Sequence, residues 1–157
     1  MKRKVKLNPG DVVCVDLSNG TNAFARVLHG PLLAFYDMCL DTDASADLEQ
    51  ITSASVLFTV PVMNDAVEAG RWPVIGSRAL ESDLQKPVTM FKQDAISKNL
   101  TLYTESPNGQ YEERAATREE CAGLERAAVW NPQHVEDRLR DHYANLPNQW
   151  VESLKVK

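Results

Sequence analysis

The stretch at residues 8–28, NPGDVVCVDLSNGTNAFARVL, limits the fold more than any other in this 157-residue chain. Pro9-Gly10 turns the backbone into an apolar run, Val12-Val13-Cys14-Val15-Asp16-Leu17. Asn19-Gly20 supplies two neighbours that tolerate positive φ, as a two-residue type I′ turn requires. The return run is Ala23-Phe24-Ala25-Arg26-Val27-Leu28. Valine branches at Cβ, loses χ1 freedom in a helix and packs well on a pleated surface, so the pattern predicts a β-hairpin. It is a scaffold and carries no catalytic motif.

The rest of the chain extends that scaffold. His29-Gly30-Pro31 turns into Leu32-Leu33-Ala34-Phe35-Tyr36, which makes a three-stranded meander. Residues 41–50 are polar and acidic and read as an exposed loop. Ser55-Val56-Leu57-Phe58-Thr59-Val60 is almost continuously apolar, which predicts a strand covered on both faces. Residues 64–70 suit one helical turn ending at Gly70. Pro73 cannot donate to a ladder, so Trp72-Pro73-Val74-Ile75-Gly76 belongs at a sheet edge or beside a bulge. Val88-Thr89-Met90-Phe91 is a short strand or extended link. Leu100-Thr101-Leu102-Tyr103-Thr104 and Gln110-Tyr111-Glu112-Glu113-Arg114 flank Ser106-Pro107-Asn108-Gly109, a second hairpin.

At Thr117 the pattern turns helical. Thr117-Arg118-Glu119-Glu120 is a capping box, and Cys121, Leu124 and Ala128 follow at helical spacing. Asn131-Pro132 opens a further helix with an inward stripe of Val135, Leu139 and Tyr143, and Pro147 sets its limit. Val151 and Leu154 suit a last short turn. The expected fold is α+β: a mostly antiparallel β meander or partly open barrel closed by C-terminal helices. One domain over 1–157 is expected, with a basic strip at 1–7 (Lys2, Arg3, Lys4, Lys6) and a helical part at 117–157.

Composition narrows the function classes. Apolar residues at 43% and charged residues at 25% suit a packed core without staples. A net charge of −5 argues against nonspecific nucleic-acid binding. No apolar run is long enough to span a membrane, and the basic start lacks the apolar core of a signal peptide, so a cytoplasmic location is expected. Cys14, Cys39 and Cys121 are odd in number and lack C-x-x-C spacing; Cys14 and Cys121 read as core fillers.

Chemical constellations are sparse. The histidines are His29, His134 and His142, and the last two are eight residues apart on one predicted helix, about 12 Å along its axis. They cannot share a zinc ion, whose bonds to nitrogen are about 2 Å. Asp41-x-Asp43-x-Ser45-x-Asp47 follows the start of a calcium loop, but Ala46 replaces the required glycine and Thr52 the bidentate glutamate. Nucleophile-elbow and phosphate-loop patterns are missing, and Glu112-Glu113 and Glu119-Glu120 are sequence neighbours whose side chains diverge. Neither metal nor cofactor is expected. Trp72, Trp130 and Trp150 are scattered and read as packing residues.

The order of motifs resembles the immunity protein 26 family. The matching pieces are Pro9-Gly10-Asp11, the Asn19-Gly20 turn and Ala25-Arg26-Val27-Leu28, then Val56-Leu57-Phe58. Arg71-Trp72-Pro73-Val74-Ile75-Gly76 follows, then Pro87 with Phe91-Lys92-Gln93, and Glu125 through Val129-Trp130 to Val135-Glu136, Arg138 and Leu139. Together they touch residues 7–155. The resemblance implies a bacterial antitoxin partner encoded beside a polymorphic toxin, and the family has also been grouped with an organophosphate-hydrolysing enzyme. The expected function is therefore an immunity protein that binds and neutralises a cognate toxin domain, a nuclease being one candidate class, with no nucleic-acid or membrane partner. Asp37, Asp41, Asp43, Asp47 and Glu49 are the expected contact residues, since they cluster on one acidic loop and its approach. The alternative is a small phosphotriesterase or esterase, for which Cys39 or Cys14 with His29 is the one pairing the sequence offers.

Overall fold

The computed structural model describes residues 5–157, so Lys2, Arg3 and Lys4 of the basic strip lie outside the described residues. The fold is α+β and is organised by a five-stranded antiparallel sheet. Its strands are β1 (Asp11–Asp16), β2 (Thr21–Val27), β3 (Leu32–Asp41), β4 (Val56–Pro61) and β5 (Val74–Ser77). Their spatial order is β4-β3-β2-β1-β5, so the predicted meander is the centre of the sheet.

The β1–β2 turn differs from the two-residue form. Asp16 pairs with Asn22, the Leu17 N–H donates to the Thr21 carbonyl at 3.0 Å, and Ser18, Asn19 and Gly20 form the loop. Positive φ falls on Ser18 (57°) and Gly20 (87°). Asn19 acts through its side chain, which accepts the Thr21 N–H at 3.1 Å. β3 also runs past its apolar half to Asp41, because Leu40 and Asp41 keep pairing with Asn22 and Thr21.

β4 corrects a second expectation. It is an edge strand with Val56 40% exposed, so its apolar run is not covered on both faces. β5 holds the opposite edge beside a register shift at Val12/Val13, where Pro73 accepts the Cys14 N–H through its carbonyl. This is the placement that Pro73 demands.

A second antiparallel sheet contains β6 (Val88–Gln93), β7 (Leu100–Glu105) and β8 (Tyr111–Ala115) in that order. The β7–β8 loop is the predicted one. Gly109, at φ 87°, donates its N–H to the Ser106 carbonyl at 2.9 Å. The helices are α1 (Leu48–Thr52), α2 (Asp65–Glu68), α3 (Arg118–Cys121), α4 (Pro132–Tyr143) and α5 (Gln149–Ser153).

α3 has the predicted capping box, with the Thr117 hydroxyl on the Glu120 N–H and the Glu120 carboxylate on the Thr117 N–H. It ends after one turn. Ala122 is extended and Gly123 sits at φ 80°. The chain then runs along β6, with Phe91 N–H bonded to the Glu125 carbonyl and Ala127 N–H to the Phe91 carbonyl. Cys121, Leu124 and Ala128 therefore do not share one helical face. A single turn gains few hydrogen bonds, and a free strand edge competes with it easily.

The main core fills the α4 side of the large sheet, where Val13, Val15, Phe35 and Val60 meet Trp72, Trp130, Val135 and Leu139. On the other face, Ile51 of α1 packs on Val12, Phe24 and Tyr36, while Met90 of β6 packs on Leu28, Leu32 and Ala34. The sheet is thus covered by α4 on one side and by α1 and the small sheet on the other. Among the described residues no helix is long and apolar enough to cross a membrane.

Arg26 holds the second face together. It is 0% exposed, and all five guanidinium N–H groups have acceptors: the carbonyls of Gly10, Arg78 and Ala79, the Tyr36 hydroxyl and the Glu81 carboxylate. A buried cation is tolerable only with this degree of satisfaction. Gly10 is needed where it stands: φ is 98°, and a Cβ there would lie 2.3 Å from the Arg78 carbonyl oxygen.

Candidate interaction surface

The five acidic residues divide into two places. Asp37 and Asp41 are on β3; Asp43 lies in the turn after it; Asp47 and Glu49 open α1. The predicted loop is thus partly helix, because the Asp47 carboxylate caps α1 by accepting the Glu49 N–H at 3.0 Å. Asp41, Asp43, Asp47 and Glu49 are exposed, and none lies within salt-bridge distance of a cation among the described residues.

Asp37 is separate. It faces α4, where its Oδ1 lies 3.5 Å from His142 Nε2. Burial, then the Asp37 charge, then Cys39, push the neighbouring Tyr143 phenol well above its usual range. Asp37 thus belongs as much to the β3–α4 seam as to an acidic face.

The structure also builds a polar cleft of about 510 Å³ along α4 that the sequence reading missed. At its base Glu136, 5% exposed, accepts two N–H bonds from Arg71 (2.7 and 2.8 Å) and one from the Trp72 indole (2.8 Å). Next to it, Asp137 accepts from Arg140 and from the Trp150 indole. His134 lies flat on Trp150, ring centroids 3.5 Å apart and 13° from parallel. Of the three tryptophans, Trp150 therefore lines a surface, while Trp72 and Trp130 are buried in the core as expected. The available signal was the polar spacing of Gln133, Glu136, Asp137 and Arg140 on one α4 face, opposite the Val135–Leu139 stripe.

The thiol–imidazole pairing is not assembled. Cys14 packs in the Tyr36 cluster and Cys39 in the α4-side core, on opposite faces of the sheet. His29 is in the turn before β3, at the other end from Cys39. Burial raises the thiols of Cys14 and Cys121 above their usual value, which favours the unreactive protonated form. Among the described residues no group of three or more His, Cys, Asp or Glu side chains is placed to hold a metal ion.

A family model described as Immunity protein 26 matches residues 8–102, more than half of the chain. The chain belongs to the Immunity protein 26 family. The matched span contains the whole large sheet with Arg26, all five acidic residues, and Arg71 and Trp72 of the cleft. It ends at Leu102, within β7, so the α4 wall and the resemblance drawn over Glu125 to Leu139 lie beyond the Immunity protein 26 match. Neither curated proteins nor solved structures yield a match.

Proposed function

We propose that this protein acts in the bacterial cytoplasm as an immunity protein that binds a cognate toxin domain and neutralises it by occluding its active site or surface. Membership of the Immunity protein 26 family is the observation that carries this reading. Asp37, Asp41, Asp43, Asp47 and Glu49 form the contact surface, and residues 1–157 act as one unit in presenting it. The net charge of −5 and the lack, among the described residues, of cations within salt-bridge distance of four of the five acids favour a basic partner, such as a nuclease whose cleft is lined by Lys and Arg. Such complementarity steers encounter and fixes register more than it adds raw affinity.

Co-expression with the toxin encoded by the adjacent gene tests this reading. Growth is expected to be restored, and the purified proteins to form a stable complex. Cell death at matched expression, with no complex on gel filtration, would contradict it.

A further inference from the structure

We propose that this chain pairs with a second copy of itself through the outer edge of β8, joining two three-stranded sheets into one continuous antiparallel sheet. The sheet edges single β8 out. β6 is covered, since Phe91 N–H donates to the Glu125 carbonyl and Ala127 N–H to the Phe91 carbonyl. β4 carries a register shift, and the Trp130 N–H occupies its Pro61 carbonyl. β5 is four residues long and has Leu48 of α1 against Gly76. β8 is regular over five residues, and all five are exposed. An open edge of this kind is a template for another strand.

Its backbone groups are aimed outwards. Ser106 N–H donates to the Gln110 carbonyl and Ala116 N–H to the Leu100 carbonyl, in the register that sets Thr104 opposite Glu112 and Leu102 opposite Arg114. Bonded and non-bonded pairs alternate along an antiparallel ladder, so Tyr111, Glu113 and Ala115 turn their N–H and C=O groups away from β7. Among the described residues, those of Tyr111 and Glu113 have no hydrogen-bond partner, and the Ala115 carbonyl meets only the Arg114 guanidinium at 3.2 Å. Two such edges satisfy one another.

Side-chain charge selects a second copy and fixes one register. With a twofold axis at Glu113, Tyr111 lies opposite Ala115 of the second copy and Glu112 opposite Arg114 of the second copy, twice over by symmetry. Moving the axis by one residue sets Glu112 against Glu112 or Arg114 against Arg114, and like charges directly opposite are destabilising. At the axis the two Glu113 side chains meet, but each is held by Lys92 of its own chain at 2.6 Å. Arg114 bonds Glu120 of its own chain and is otherwise exposed, which leaves donors for a second carboxylate. Tyr111 is 64% exposed, and its ring, set against Tyr103 with centroids 5.5 Å apart, is covered by Ala115 of the second copy.

A single strand pair is smaller than a standard interface of about 1,600 Å², so dissociation in the micromolar range is expected. Sedimentation of the full chain over rising concentration measures the dimer, and NMR hydrogen exchange locates it. Wild type is expected to reach twice the monomer mass while the amides of Tyr111, Glu113 and Ala115 gain protection. Glu112→Arg and Arg114→Glu are each expected to weaken self-association about tenfold, because two attractive contacts become repulsive. An equimolar mixture of these two variants is expected to dimerise again, since every 112–114 contact between them is once more of opposite sign. That recovery excludes misfolding as the cause of the loss. Wild type that stays monomeric at millimolar concentration, a dimer whose β8 amides exchange freely, or a mixture that stays monomeric would each overturn the proposal. Protection of those amides by a toxin alone would likewise overturn it and give the edge to a strand of that partner. The pairing needs no toxin, and its failure would leave growth protection intact.

Discussion

Buried charge decides most of what single residues do in this protein. Arg26 interrupts an apolar strand, and the sequence alone gives no sign that its guanidinium is fully enclosed; its partners come from as far away as Glu81. Arg26→Ala is expected to cost about 3 kcal/mol in urea unfolding, since the carbonyls of Gly10, Arg78 and Ala79 each lose a donor, only Gly10 keeping another in the Arg78 N–H, and a cavity opens. A loss below about 1 kcal/mol would show that water replaces the guanidinium without penalty. Glu120 makes the opposite case, because its capping role is legible in Thr117-Arg118-Glu119-Glu120. The Arg114 guanidinium, then the Thr117 N–H, hold its carboxyl down to about 2 from 4.5. The folded value is depressed, so its stabilising contribution is present above pH 4.5 and disappears as pH falls through about 2. NMR titration should find that low midpoint, and Arg114→Ala should move it upwards; an unchanged midpoint would remove Arg114 as the cause.

At the scale of elements, local signals worked where one short motif settles the outcome. Asn131-Pro132 starts α4 as read: the Asn131 side chain accepts the Gln133 N–H at 2.8 Å, and Val135 and Leu139 are fully buried. Asn131→Ala is expected to lower stability by about 1 kcal/mol, measured by thermal or urea unfolding. No change would mean that tertiary packing alone fixes the start of the helix. Signals failed where distant chain competes. α3 stops after a turn because β6 offers its edge to residues 125–127, and no local pattern at Leu124 or Ala128 reports that edge. β4 reads as a buried strand because its composition is apolar, yet its exposure depends on the order of strands in the sheet. The cleft was illegible for the same reason. Arg71 and Glu136 are 65 residues apart, and only the fold brings them to 2.7 Å.

The whole molecule is a sheet covered on both faces, with an acidic end formed by the β3–α1 connection and the β1–β2 hairpin tip. Excess negative charge of this kind acts on association more than on fold. The variant carrying Asp37→Asn, Asp41→Asn, Asp43→Asn, Asp47→Asn and Glu49→Gln should therefore fold normally, helped by the fact that an asparagine side chain caps a helix about as well as the aspartate of Asp47 does. The decisive measurement is the rate constant for association with the proposed cognate toxin as a function of salt, for wild type and this variant. Wild type is expected to associate fast and to slow steeply as salt rises; the variant should start roughly tenfold slower and respond weakly. Identical rates and identical salt slopes would contradict binding through this acidic surface.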